Sequence, residues 1–134
     1  MSIHPNSELN VHDIKPFIGA KDFEVSKKFY LALGWRLTYD SPSLSVFELA
    51  GHRFYLQNFY AEEWCSNSML HISVENVSAW LSHAKTVFAS PDFPSEARME
   101  HLIKDEGYAN TFHVWDPSGV LLHFAQEHHA SESA

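Results

Sequence analysis

One order of elements, strand, helix and then three strands, is written twice along this chain, and that duplication limits the fold more than its composition does. Ile14 to Ala20 reads as a strand. Asp22 then supplies an N-cap acid, Val25, Phe29 and Leu33 recur at helical spacing, and Gly34 closes the helix. Strands follow over about Trp35 to Tyr39, Leu44 to Leu49 and Arg53 to Phe59, with Ala50-Gly51-His52 turning between the last two. The order restarts at Met69 to Glu75. Asn76 caps a helix carrying Val77, Trp80, Leu81, Ala84 and Phe88 at 3.6-residue spacing, Pro91 and Pro94 break it, and an amphipathic strand is expected over Glu96 to Lys104. A hairpin over Thr111 to Phe124 ends the second copy, its turn Asp116-Pro117-Ser118-Gly119 having type I chemistry. The expected architecture is α+β: two tandem βαβββ units, about 14–59 and 69–126, forming a curved, barrel-like mixed sheet with helices outside. A chain of 134 residues, 45% of them apolar, makes this one domain over 1–134.

Strand alternation then sorts side chains by face. Leu70, Ile72 and Val74 are the aliphatic set that packs on helices, which leaves Met69, His71 and Ser73 on the other side. The same split turns Lys15, Phe17 and Gly19 inward on the first strand, and Thr111, His113, Trp115, Leu121 and His123 on the hairpin. Glu48, Tyr55 and Gln57 join that face. Its expected lining of aromatic rings, imidazoles, an amide and a carboxylate suits a planar or amphipathic organic ligand. The candidate ligand-binding residues are therefore Phe17, Glu48, Tyr55, Gln57, His71, His113, Trp115 and His123. Tyr60, Trp64 and Tyr108, on expected loops, are placed at its rim.

Several classes fall away on charge and chemistry. Nine Lys and Arg against 17 Asp and Glu give a formal net charge of −8, unsuited to neutralising a phosphate backbone, so no nucleic-acid partner is expected. Cys65 is the sole cysteine and excludes an internal disulfide. Neither a membrane span nor an export signal is read in the sequence, and the expected location is cytoplasmic. No phosphate loop or nucleophile elbow is present, and no catalytic residue is assigned.

The tandem βαβββ order, with Asp22-x-x-x-Ser26-x-x-Phe29-Tyr30-x-x-Leu33-Gly34-Trp35 early and Asp116-Pro117-Ser118-Gly119 late, resembles the glyoxalase / bleomycin-resistance / extradiol-dioxygenase superfamily, the vicinal oxygen chelate proteins. The likeness runs from about Ile14 to Gln126. In metal-dependent members such as glyoxalase I, the resemblance places the divalent-ion ligands at Lys15, Met69, His123 and a fourth position near Tyr55 or Gln57. A protonated Lys has no lone pair, and a Met thioether is a soft ligand suited to Cu(I). What the resemblance implies is the metal-free bleomycin-resistance-like branch: a small-molecule-binding, antibiotic-sequestering protein without a cofactor. Lys15-Pro16-Phe17-Ile18-Gly19-Ala20-Lys21-Asp22 is similar to that branch's first strand, which implies a homodimer with exchanged first strands and pockets at the subunit boundary. The ligand would be aromatic or cationic, stacked by Trp115, Phe17 and Tyr55 and attracted by Glu48.

A second reading stays open. His71 and His123 with Glu48 would give a divalent metal ion two imidazoles and an oxygen, as in a metal-dependent lyase, isomerase or dioxygenase with a shifted ligand set. His71 lies one pleat period, about 7 Å, from the family's ligand position at Met69.

Overall fold

Asp22 accepts a hydrogen bond from the Val25 amide at 3.2 Å, which starts helix α1 (Phe23–Leu33). Gly34 ends it at φ 123°, a conformation glycine adopts without penalty, and donates its amide to the Tyr30 and Leu31 carbonyls. Asn76 opens the longer helix α3 (Val77–Phe88) in the same way, accepting from the Ala79 amide at 3.0 Å. Both helices start where their caps predict.

The computed structural model describes residues 7–128, and residues 1–6, in which no export signal is read, lie outside them. The strands are β1 (Phe17–Gly19), β2 (Arg36–Asp40), β3 (Leu44–Leu49), β4 (His52–Gln57), β5 (Met69–Ser73), β6 (Arg98–Met99), β7 (Lys104–Asp105), β8 (Ala109–Trp115) and β9 (Leu121–Glu127). They form two sheets, β1-β4-β3-β2 and β5-β9-β8-β6, with β7 also pairing β8. We call these sheet A and sheet B. In each, the unit's first strand runs parallel to its last, Phe17 opposite Tyr55 in one and His71 opposite His123 in the other. The duplication is thus repeated in the topology. The architecture is α+β with mixed sheets, as expected, and the barrel-like curvature takes the form of two separate sheets without closure.

The core lies between helices and sheets. Phe29, Tyr30 and Leu33 of α1 are fully buried with Phe47 and Phe54 of sheet A, while Trp80 of α3 stacks on Phe124 of sheet B at 5.0 Å. Phe29 meets Phe88 edge-on at 6.4 Å, and His83 Nε2 bonds the Leu33 carbonyl at 2.8 Å, so the two helices tie the units together. Burying each such side chain contributes roughly 1.5–3 kcal/mol.

Three elements depart from the sequence reading. Strand β1 spans only Phe17–Gly19, because Pro16 has no amide to extend the ladder and contributes its carbonyl alone, to the Tyr55 amide at 2.8 Å. The strand expected over Glu96 to Lys104 is split into β6 and β7. Between them the Glu100 carboxylate takes the His113 amide at 3.0 Å, doing with a side chain what a ladder carbonyl would otherwise do. The segment after β4, read as a loop, contains helix α2 (Glu62–Asn67), which has no side-chain cap but carries Glu62 and Glu63 in its first turn. Tertiary contact supports it: Cys65 is fully buried, and α2 closes on Gly19.

Candidate functional site

Alternation on β5 turns Leu70 and Ile72 to the core and leaves His71 and Ser73 on the opposite face. Register does the rest. His71 lies opposite His123 on β9, and His123 opposite His113 on β8, so three imidazoles stand in a row across three strands. Their ring centroids are 5.0 Å and 4.8 Å apart, and His71 Nδ1 is 2.9 Å from His123 Nδ1. Trp115 continues the row, edge-on to His113 at 5.9 Å, and the Arg98 guanidinium lies 4.1 Å above its ring.

A carboxylate closes each end of the histidine row. Glu127 Oε2 is 2.8 Å from His71 Nε2 and accepts the Ser73 hydroxyl at 2.8 Å, and these bonds hold its carboxyl below the usual range. Glu100 Oε2 is 3.4 Å from His113 Nδ1. Burial, followed by the neighbouring His113 and His71, pushes the central His123 below an ordinary histidine, which favours its neutral form.

Sheet A presents a different surface. Phe17 and Tyr55, paired across β1 and β4, stack at 4.5 Å, and Phe17 is about half exposed. Gln57 follows Tyr55 on the same face, opposite Leu44. Glu48 lies 3.1 Å from Arg36 and 3.6 Å from Arg53, and Arg53 also holds Asp13 at 2.7 Å. Its charge is matched by guanidiniums on the flanking strands. Lys15 pairs with Asp13 at 3.5 Å and stands 5.7 Å over the Tyr55 ring.

The eight expected residues therefore form two groups. His71, His113, Trp115 and His123 share the face of sheet B, and Phe17, Glu48, Tyr55 and Gln57 that of sheet A. Glu48 does not join His71 and His123, because it lies on the other sheet in an ion pair. Among the described residues no group of three or more His, Cys, Asp or Glu is arranged to hold a metal ion. The glyoxalase-type ligand positions do not fit one either: Lys15 is an ion-paired ammonium and Met69 a thioether.

A cleft of about 550 Å³ lies between the sheets along β5, lined by Pro16, Trp35, Arg53, His71 and Trp80 among others. His71 alone of the expected residues borders it. Strand parity assigns faces within one sheet and carries no information about a cleft assembled from both units, which is why Trp35 and Trp80 escaped it. Glu127 could have been found, since it has the parity of His123 four residues on. Gly19, expected on the ligand-facing side, is instead covered: a Cβ there would lie 2.6 Å from both the Phe59 carbonyl oxygen and the Trp64 ring. Trp64, expected at the rim, packs on β1.

No family model and no curated protein matches this chain. Solved structures do. A bleomycin-binding protein from bleomycin-producing Streptomyces verticillus, complexed with copper(II)-bleomycin, superposes with TM-score 0.74 at 17% identity, over 90% of this chain and 99% of its own. A bleomycin resistance determinant encoded on the transposon Tn5 gives 0.73 at 15% identity, over 87% and 98%. An antibiotic-binding protein from a Streptomyces species gives 0.70 at 16% identity, over 90% and 98%. Likeness at this level of identity is likeness of fold.

Proposed function

From the premise that this chain has the vicinal oxygen chelate fold in its bleomycin-resistance form, we propose that it binds and sequesters a small organic ligand, aromatic or cationic, without a metal and without turning it over. The observation that carries this reading is the pair of open faces. One offers the half-exposed Phe17 stacked on the partly buried Tyr55, the other Trp115 beside the imidazole row. Rings for stacking with a few oriented polar groups suit ligand capture. The binding and antibiotic-binding proteins that share the fold support it. For a cationic ligand, Glu127 on sheet B is better placed than Glu48, which two guanidiniums match, or Glu100, which stands 3.8 Å from Lys104.

The working unit in this reading is a homodimer. In this structure β1 pairs with β4 of its own chain over Phe17 to Gly19, and exchange would supply the same strand from a partner, with Pro16 at the crossing point. Leu9, Val11 and Ile14, 71%, 73% and 83% exposed, precede that point and would be covered by the partner. Pockets would then form at the subunit boundary. We place the protein in the cytoplasm, where Cys65 stays a buried thiol; no helix among the described residues is long and apolar enough to cross a membrane.

The test is titration of the purified protein with bleomycin and a panel of planar cationic antibiotics, read by tryptophan fluorescence, with light scattering for mass and elemental analysis for metal. Saturable binding by a metal-free dimer is expected. Near-stoichiometric divalent metal that disappears in His123→Ala would overturn the metal-free reading, and a panel with no saturable binder would overturn sequestration of this ligand class.

A further inference from the structure

The geometry points to a fixed proton order along Glu127, His71 and His123 that leaves His123 Nε2 as a bare, neutral hydrogen-bond acceptor, taking an N–H or O–H donor from the ligand. It rests on the reading of sheet B as a binding face only for what the acceptor would meet. The order itself follows from the bonds. An ionised carboxylate can only accept, so the 2.8 Å contact between Glu127 Oε2 and His71 Nε2 puts the hydrogen of His71 on Nε2. The Ser73 hydroxyl bonds the same oxygen and reinforces its role as acceptor. With both imidazoles uncharged, the condition met at mildly alkaline pH, His71 then has a lone pair at Nδ1. Two bare nitrogens 2.9 Å apart would repel, so His123 must carry its hydrogen on Nδ1 and donate it to His71. Its Nε2 is left with a lone pair.

His123 is about nine-tenths buried, yet no hydrogen bond from the described residues occupies its Nε2, and no sealed side-chain polar atom among them lacks a partner, so that nitrogen keeps contact with solvent. The chemical class selected is therefore a donor: a protonated amine, an amide N–H or a phenol. A carbonyl or ether oxygen at the same place would face a lone pair and be disfavoured. Glu127 and His71 are positioning residues, acting on the ligand through His123.

The test needs no ligand. Long-range proton–nitrogen correlation spectra of the ¹⁵N-labelled full chain at mildly alkaline pH read each imidazole tautomer directly. We expect His71 as the Nε2–H form and His123 as the Nδ1–H form. In Glu127→Leu, at an exposed position, and in His71→Phe, His123 should become a mixture of tautomers while the backbone amide spectrum stays native. A wild-type His123 in the Nε2–H form, or a His123 tautomer unchanged in both variants, overturns the relay. Antibiotic titration can fail with the tautomers as assigned, and the tautomers can be wrong while binding holds, so the two readings fail separately.

Discussion

The Tyr30 hydroxyl donates a 2.7 Å hydrogen bond to Asp116 Oδ2, joining helix α1 of the first unit to the hairpin turn of the second. Both groups are buried, and the other carboxylate oxygen accepts the Ser118 and Val120 amides at 2.8 Å and 3.0 Å. Ser118 in turn receives the Lys21 amide at 2.8 Å. The turn that the sequence marks as a local device is thus also a clasp between the units. Tyr30→Phe keeps the ring packing and removes one partner from a buried carboxylate, which costs about 1.5–3 kcal/mol. Urea unfolding should show that loss as a lower midpoint at unchanged slope.

Burial pushes the Asp116 carboxyl up to about 6, against the opposing hydrogen bonds from Tyr30 and the turn amides. A carboxyl raised in the folded state binds its proton more tightly there than in the unfolded chain. Its contribution is therefore full below about pH 4 and lost as pH rises towards 6, a span worth roughly 3 kcal/mol. Unfolding free energies measured across this window should contain a component that falls with rising pH and is absent in Asp116→Asn. A window in which the variant keeps the wild-type pH slope would assign the effect elsewhere.

Gly19 is where α2 meets β1. A Cβ would sit 2.6 Å from the Phe59 carbonyl, to which Ala20 donates at 3.0 Å, and 2.9 Å from the Cys65 sulfur, so backbone as well as side chains must shift. Gly19→Ala should destabilise by about 1–3 kcal/mol. Thermal unfolding checks the magnitude.

Helix starts were legible because Asp22 and Asn76 cap them with their own side chains, a signal contained within four residues. Helix α2 was not, since its support comes from Gly19, some forty positions earlier. The histidine row was readable from parity, because a pleat of period two fixes which residues share a face. Parity could not show that Glu48 would meet Arg36 and Arg53, which depends on strand neighbours, or that its sheet would stand apart from that of His71. The split of the strand after α3 depended on Glu100 bonding the His113 amide, a side-chain choice invisible to alternation.

Whether the two faces serve one pocket can be decided by complementation. Trp115→Ala removes a ring already stacked on one side by Arg98, and Tyr55→Ala removes the partner of Phe17 on the other sheet. Each aromatic contact is worth about 0.5–1.5 kcal/mol, so each variant should weaken bleomycin binding roughly 2- to 13-fold if that face holds ligand. In a dimer whose pockets combine sheet A of one chain with sheet B of the other, unfolding and refolding the two variants together places both substitutions in one pocket of every mixed dimer and none in its second. About a quarter of all sites then recover wild-type affinity. If the pocket is built within a single chain, every site in the mixture carries one substitution, and no tight class appears in the titration. Recovery of that class would establish the pairing of the histidine row with the Phe17 and Tyr55 stack across the subunit boundary, and its absence would return the ligand to a single chain.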